Sequence, residues 1–227
     1  MEHMIQMIVF DMAGTTVNEH NLVYKTLHAV LNEAGYEASL ELVLLHGAGK
    51  EKLQAFRDIL ATFPEEVGDT EAKARTLHTA FVQRLNPAYA TAEVSAFADC
   101  EPLFTYLQHR DIKVVLNTGY DRPTANQLLA RLGWREGTQI DLSVTSDDVV
   151  QGRPHPDMIR LAMQRLGIED PAQVAKVGDS IIDIEEGKAA GCGLTFGVTT
   201  GAHTADQLAS AAPDHVIGRL DEIRAWV

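Results

Sequence analysis

Met4-Ile-Gln-Met-Ile-Val-Phe-Asp11-Met-Ala-Gly-Thr-Thr16 is the stretch on which the fold turns. Met4–Phe10 is a short apolar run with the length of a buried strand, and it stops at an acid followed by a polar turn that contains glycine. Open parallel sheets bind their ligands at such carboxyl-terminal strand ends. Asp11 alone reads equally well as a turn or helix-cap aspartate, so the rest of the chain has to decide its role.

Beyond this run the pattern changes. Apolar residues at helical spacing predict helices over Asn21–Ala34, Ser39–Leu45, Lys50–Leu60 and Glu71–Leu85, with Asn86-Pro87 closing the last. From there strands and helices alternate. Strands are expected at Ile112–Leu116, Leu142–Thr145, Ala172–Val177, Leu194–Val198 and Val216-Ile217. Helices are expected at Glu101–Arg110, Thr124–Leu132, Pro156–Leu166, Ile182–Ala190 and Leu220–Trp226. The expected fold is therefore α/β: a Rossmann-like core with a parallel central sheet, built from residues 1–16 and 88–227, and a helical cap of residues 17–87 inserted after the first strand.

Polar residues collect just after the strands, and they give Asp11 its partners. Asp179 ends the run Ala-Lys-Val-Gly-Asp, and Asp183 follows four residues later, expected one helical turn further on the same side. Carboxylates brought together at strand ends repel one another unless a cation sits among them, and an oxygen-liganded Mg²⁺ resolves that conflict. Thr118 follows the strand Ile112–Leu116, where its hydroxyl can hold a phosphoryl oxygen. Arg153, stiffened by prolines in Gln-Gly-Arg-Pro-His-Pro, offers a cation to an anionic oxygen.

Bulk properties narrow the field further. A net charge of −13 argues against a nucleic-acid partner, which needs basic surface, but not against one small phosphorylated metabolite. Cys100 and Cys192, far apart and in no metal-binding spacing, suggest a reducing compartment. No run of 18 apolar residues occurs, so no membrane partner is expected and a cytoplasmic protein is.

These residues resemble the haloacid dehalogenase superfamily. Its four signatures are Asp11-Met-Ala-Gly-Thr-Thr16, Thr118, Arg153, and Gly178-Asp179 with Asp183. The resemblance implies that Asp11 is a nucleophile forming an aspartyl-phosphate and that Thr118 and Arg153 hold the phosphoryl group. It implies Mg²⁺ bound at Asp11, Ala13, Asp179 and Asp183, and substrate or phosphoryl contacts from Thr15, Gly119, Tyr120 and His46.

Phosphatases of the superfamily carry an acid two residues after the nucleophile, where this chain has Ala13. An alkoxide leaving without that acid loses roughly 10²–10⁴-fold in rate. The phosphonoacetaldehyde hydrolase branch is similar in carrying an alanine there. The resemblance implies a cap lysine that forms a Schiff base with the substrate aldehyde, so that an enamine leaves. Its Gly-x-x-Lys motif is matched by Gly47-Ala48-Gly49-Lys50, and Asn117-Thr118-Gly119-Tyr120 and Gly152-Arg153-Pro154 also resemble that branch. The chain departs from the motif at His46, usually methionine, and at Leu53, usually a histidine that assists imine formation.

Three functions stay open at this point. The first is a P–C hydrolase of phosphonoacetaldehyde or a related carbonyl phosphonate. The second is a phosphatase of a small phosphate ester with Lys50 only a substrate contact, and the third is a non-catalytic binding protein. The resemblance also implies a homodimer.

Overall fold

The computed structural model describes residues 4–63 and 68–227. Residues 1–3 of the expected first core segment and 64–67 of the expected cap lie outside the described residues. Strand β1 (Met7–Asp11) is followed by a short β2 (Val17–Asn18), and then by α1 (Leu22–Glu33), α2 (Leu40–Gly47), α3 (Lys52–Leu60) and α4 (Thr70–Thr91). After a second short strand, β3 (Ser95–Ala96), come α5 (Cys100–Gln108), β4 (Lys113–Thr118), α6 (Arg122–Leu132) and β5 (Leu142–Thr145). The chain ends with α7 (Asp157–Leu166), β6 (Val174–Gly178), α8 (Ile181–Ala190), β7 (Leu194–Val198), α9 (Ala205–Ser210), β8 (His215–Ile217) and a 3-10 turn over Leu220–Ala225.

Six strands form one sheet in the order β5-β4-β1-β6-β7-β8, and every pairing in it is parallel. The period-two alternation of β1 sorts its side chains onto two cores. Ile8 and Phe10 pack with α5, α6 and the helices after β1. Met7 and Val9 pack with Val115, Val174 and the α7 residues Met158 and Ile159. Both faces are thus covered, as a parallel sheet requires. The helical cap is inserted between β1 and β4, and β2 and β3 pair antiparallel where the chain enters and leaves it.

Three local expectations need correction. Asn86-Pro87 does not end the last cap helix, because α4 runs through Pro87 to Thr91. Gln83, whose carbonyl loses its partner at Pro87, is exposed together with Pro87, so water can take the freed acceptor. Asp179 lies before α8 rather than on it, with Ser180 at the N-cap. The final element, Leu220–Ala225, is a 3-10 turn and not an α-helix. Cys100 and Cys192 are both free thiols. No described helix is long and apolar enough to cross a membrane.

Candidate active site

Register brings the site together. Asp11 pairs with Asn117 across β1 and β4, and Val9 pairs with Lys176 across β1 and β6. Asp11, Asn117 and Lys176 therefore project from the same sheet face near its carboxyl edge. The turn after β1 needs a glycine: Gly14 has φ +82°, and a Cβ there would come within 2.3 Å of Asp179 Oδ2. Thr16 Oγ1 ties the turn back by donating to the Asp11 carbonyl at 2.8 Å.

Asp11, Asp179 and Asp183 are all buried, and they can each aim an oxygen into one spot, with those oxygens within 4.8 Å of one another. Arg153 enters from the loop before α7 and is fully enclosed. Its Nη1 reaches Asp11 Oδ1 at 2.6 Å and Asp183 Oδ1 at 3.1 Å, and its Nε reaches Glu186 at 3.0 Å. Nη2 donates to the Asn117 carbonyl and to Asn117 Oδ1 at 2.8 and 2.6 Å. Lys176 Nζ lies 2.8 Å from Asp183 Oδ1 and donates to Asn117 Oδ1 at 2.9 Å. Asn117 Nδ2 in turn donates to Glu186 at 2.8 Å.

Charge in this cluster does not balance. Four buried carboxylates (Asp11, Asp179, Asp183 and Glu186) face two buried cations, Arg153 and Lys176. Asp183 Oδ1 makes no aligned hydrogen bond, although both cations lie beside it. Burial pushes the Asp179 carboxyl well above the usual range, and repulsion from Asp11 and Asp183 adds to this. Burial also raises Asp11, against the pull of Arg153. For Asp183 burial loses to Arg153 and Lys176, which hold it below its ordinary value. A two-fold negative excess around three convergent oxygens fits a divalent cation with oxygen ligands. The three aspartates can coordinate such an ion. Ala13, in the turn just after Asp11, has only its carbonyl to offer one.

The other expected residues are distributed unevenly. Thr15 Oγ1 lies 3.4 Å from Asp179 Oδ1. Thr118 is buried at the end of β4, and its hydroxyl accepts from the Tyr120 N–H at 3.2 Å. Gly119 sits against the cap, where an added Cβ would come within 2.7 Å of the Lys50 carbonyl oxygen. The Tyr120 hydroxyl pairs with that of Tyr89 at 2.8 Å. The Lys50 ammonium pairs with Asp58 on its own cap segment. His46, half-buried in the last turn of α2, has no hydrogen bond to the site among the described residues.

Sequence reasoning passed over Lys176, Glu186, Lys52 and Glu19. A lysine inside the apolar run of β6 was the available signal for the first, since such a charge is buried only with partners. Glu186 stands three residues after Asp183 on the same helical face, which was the signal for the second. Lys52 and Glu19 lie where cap meets core. Lys52 is buried, 5.7 Å from the Tyr24 ring centroid and 5.5 Å from that of Tyr120. Glu19 accepts from the Val23 N–H at 2.9 Å and from the Tyr89 hydroxyl at 3.4 Å, and burial raises its pKa. The contacts that bury them, with Tyr24 and Tyr120 for Lys52 and with Tyr89 for Glu19, are long-range, so the sequence did not announce them.

With this geometry in place, comparison with known proteins gives a consistent result. A family model described as haloacid dehalogenase-like hydrolase matches residues 5–191. Phosphonoacetaldehyde hydrolase of Latilactobacillus sakei is 32% identical over 204 residues, covering 86% of this chain and 75% of that protein. The probable phosphatase IndB of Dickeya dadantii is 29% identical over 218 residues, covering 96% and 91%. A crystal structure of a phosphonoacetaldehyde hydrolase-like protein from Oleispira antarctica shares the fold, with a TM-score of 0.83 at 22% identity over 97% of this chain and 90% of that one. The chain belongs to the haloacid dehalogenase-like hydrolases, on the branch that resembles phosphonoacetaldehyde hydrolase.

Proposed function

We propose that this hydrolase acts on a small phosphorylated molecule and that its substrate is a carbonyl phosphonate, phosphonoacetaldehyde or a close analogue, whose P–C bond it breaks. The observation that carries the reading is Ala13. The site has a nucleophile, a carboxylate cluster and buried cations for phosphoryl transfer, yet the position two residues beyond Asp11 bears a methyl group and no acid. A leaving group that departs as an enamine needs no such acid, and a cap lysine can supply the amine.

In this mechanism Asp11 attacks phosphorus and carries the phosphoryl group as an acyl phosphate, which water then hydrolyses. Arg153 orients the Asp11 carboxylate, and Thr118 with the adjoining backbone N–H holds phosphoryl oxygens. Asp11, Asp179, Asp183 and the Ala13 carbonyl would hold Mg²⁺, which when bound would supply charge neutralisation for phosphoryl transfer. The cap moves as a unit about β2 and β3 and excludes water when closed.

The test is phosphate release in Mg²⁺ from phosphonoacetaldehyde and from ethyl phosphate, by the parent and by Ala13→Asp. The parent is expected to favour the phosphonate, and Ala13→Asp to raise only the ester activity. Turnover of the ester with the phosphonate left intact would overturn the reading. Glu19 is the residue to watch in that second outcome, since it is a buried carboxyl near the cap junction that burial holds toward its protonated form.

A further inference from the structure

We infer that Lys52, and not Lys50, is the amine that meets the substrate's carbonyl group. The inference takes its substrate class from the carbonyl-phosphonate reading; the choice of residue comes from the cap–core geometry. Lys50 turns its ammonium onto Asp58, and this pair is partly exposed on the cap. The Lys50 carbonyl lies against Gly119 of the core, while Lys50 itself lines a different cleft, with Gly152, Arg153 and Ile182. Lys52 Nζ donates to that same carbonyl at 2.5 Å. The Lys52 amine is therefore one carbonyl away from the Thr118-Gly119-Tyr120 loop, where the phosphoryl group is expected.

The surroundings of Lys52 leave donors to spare. An ammonium has three N–H groups, and one is used on the Lys50 carbonyl. Its other near neighbours are the faces of Tyr24 and Tyr120, and among the described residues no carboxylate pairs with it. A buried lysine spent this thinly is poised for an acceptor that arrives with a ligand, and a carbonyl oxygen is one. A cavity of about 400 Å³ between cap and core is lined by Lys52, His78, Phe81, Leu85, Gly119 and Tyr120. Burial brings the Lys52 amine down to about 8, against the opposing pull of Glu51, Asp11 and Glu19 and with Arg153 assisting. About a tenth of it is then neutral at pH 7.

The step balances without a further reagent. The Lys52 nitrogen lone pair attacks the carbonyl carbon and the C=O pair goes to oxygen, which takes up protons and leaves as water, giving a protonated imine. The P–C bonding pair then moves into the imine as phosphorus passes to Asp11, leaving an enamine. The enamine takes a proton on carbon, and water releases the aldehyde and restores the lysine.

The experiment treats the full chain in Mg²⁺ with phosphonoacetaldehyde and borohydride and maps the reduced adduct by peptide mass spectrometry. The expected adduct is on Lys52, and it disappears in Lys52→Arg, which keeps a cation over both rings and a thermal midpoint near that of the parent. An adduct on Lys50, or none on either lysine, overturns the inference. The adduct's composition tests the reading separately. A phosphorus-free ethyl group on Lys52 supports both, whereas a phosphonoethyl group on Lys52 with no phosphate released when borohydride is left out supports the residue and refutes P–C cleavage.

Discussion

The carboxylate cluster at the strand ends and the aromatic chamber under the cap are both buried, but they treat charge in opposite ways. In the cluster, Arg153 touches Asp11, Asp183, Glu186 and Asn117, and Lys176 touches three of the same groups. Every member supports another, so the geometry is over-determined. In the chamber, Lys52 has one hydrogen bond and two rings, and Glu19 leans on a backbone amide and a tyrosine. Chemistry common to any phosphoryl group is built from interlocked charges. Under the proposed function, the group that leaves phosphorus is met by sparsely partnered ones, which can respond to a ligand.

Substitutions can break this contrast. Asp11→Asn is expected to have the largest effect, reducing turnover to background because the amide cannot accept the phosphoryl group. The metal-free variant should nonetheless melt at or above the parent, since one buried carboxylate of an overcharged cluster is gone; calorimetry in chelator checks this. Arg153→Met should cost about 3–5 kcal/mol in urea denaturation, because it leaves buried carboxylates without their cation. Lys52→Met is the matching change in the chamber and should leave stability unchanged or raise it by about 1 kcal/mol. The sign follows from the depressed Lys52 pKa of about 8, against an ordinary lysine at 10.5. The penalty for its charge is full below the folded value and fades as pH rises toward the unfolded one, so the gain from Lys52→Met should shrink between those limits. Equal losses in Arg153→Met and Lys52→Met would erase the distinction.

Mg²⁺ sharpens the comparison from the other side. At 100 times its dissociation constant it should stabilise by about 2.7 kcal/mol. Asp11 and Asp179 are raised, so without metal the folded state binds protons more tightly than the unfolded state and loses stability as pH rises through their folded values. A bound cation removes that loss. The difference in thermal midpoint between Mg²⁺ and chelator should therefore grow as pH rises above the ordinary carboxylate range. The smallest effect is expected for Tyr89→Phe, about 1 kcal/mol for its hydroxyl bonds to Tyr120 and Glu19, visible in chemical denaturation.

Legibility in the sequence followed the range of the interactions. Leu142–Thr145 and Leu194–Val198 were readable to the residue because short apolar runs between turn signals decide them locally. Asp11, Asp179 and Asp183 were readable because carboxylates at strand ends are conspicuous. The β2–β3 pair was not, since two residues on each side make a strand only through a partner far along the chain. Lys176 gave one local signal, a charge inside an apolar run, but not its partners. Its run reads as apolar strand, and only the fold reveals Asn117, Asp183 and Glu186 around its ammonium. Lys50 and Lys52 differ by two positions and look alike on paper; the path of the backbone at Gly119 separates them.

The β2–β3 ribbon has a topological consequence. Asn18 pairs with Ser95, so the chain leaves the core and returns to it at adjacent points. From the core's side the whole helical insert is one excursion from a hairpin, and its ends are already closed whatever the excursion contains. Loop-closure entropy grows only logarithmically with length, so exchanging the insert for a longer one, or for a two-residue turn, changes the core's folding cost by little. The Asp11 cluster belongs to the part that would remain. A core joined directly from Asn18 to Ser95 should keep its metal affinity and its nucleophile while losing its choice of leaving group, which makes the two halves of the reaction separable by a single splice.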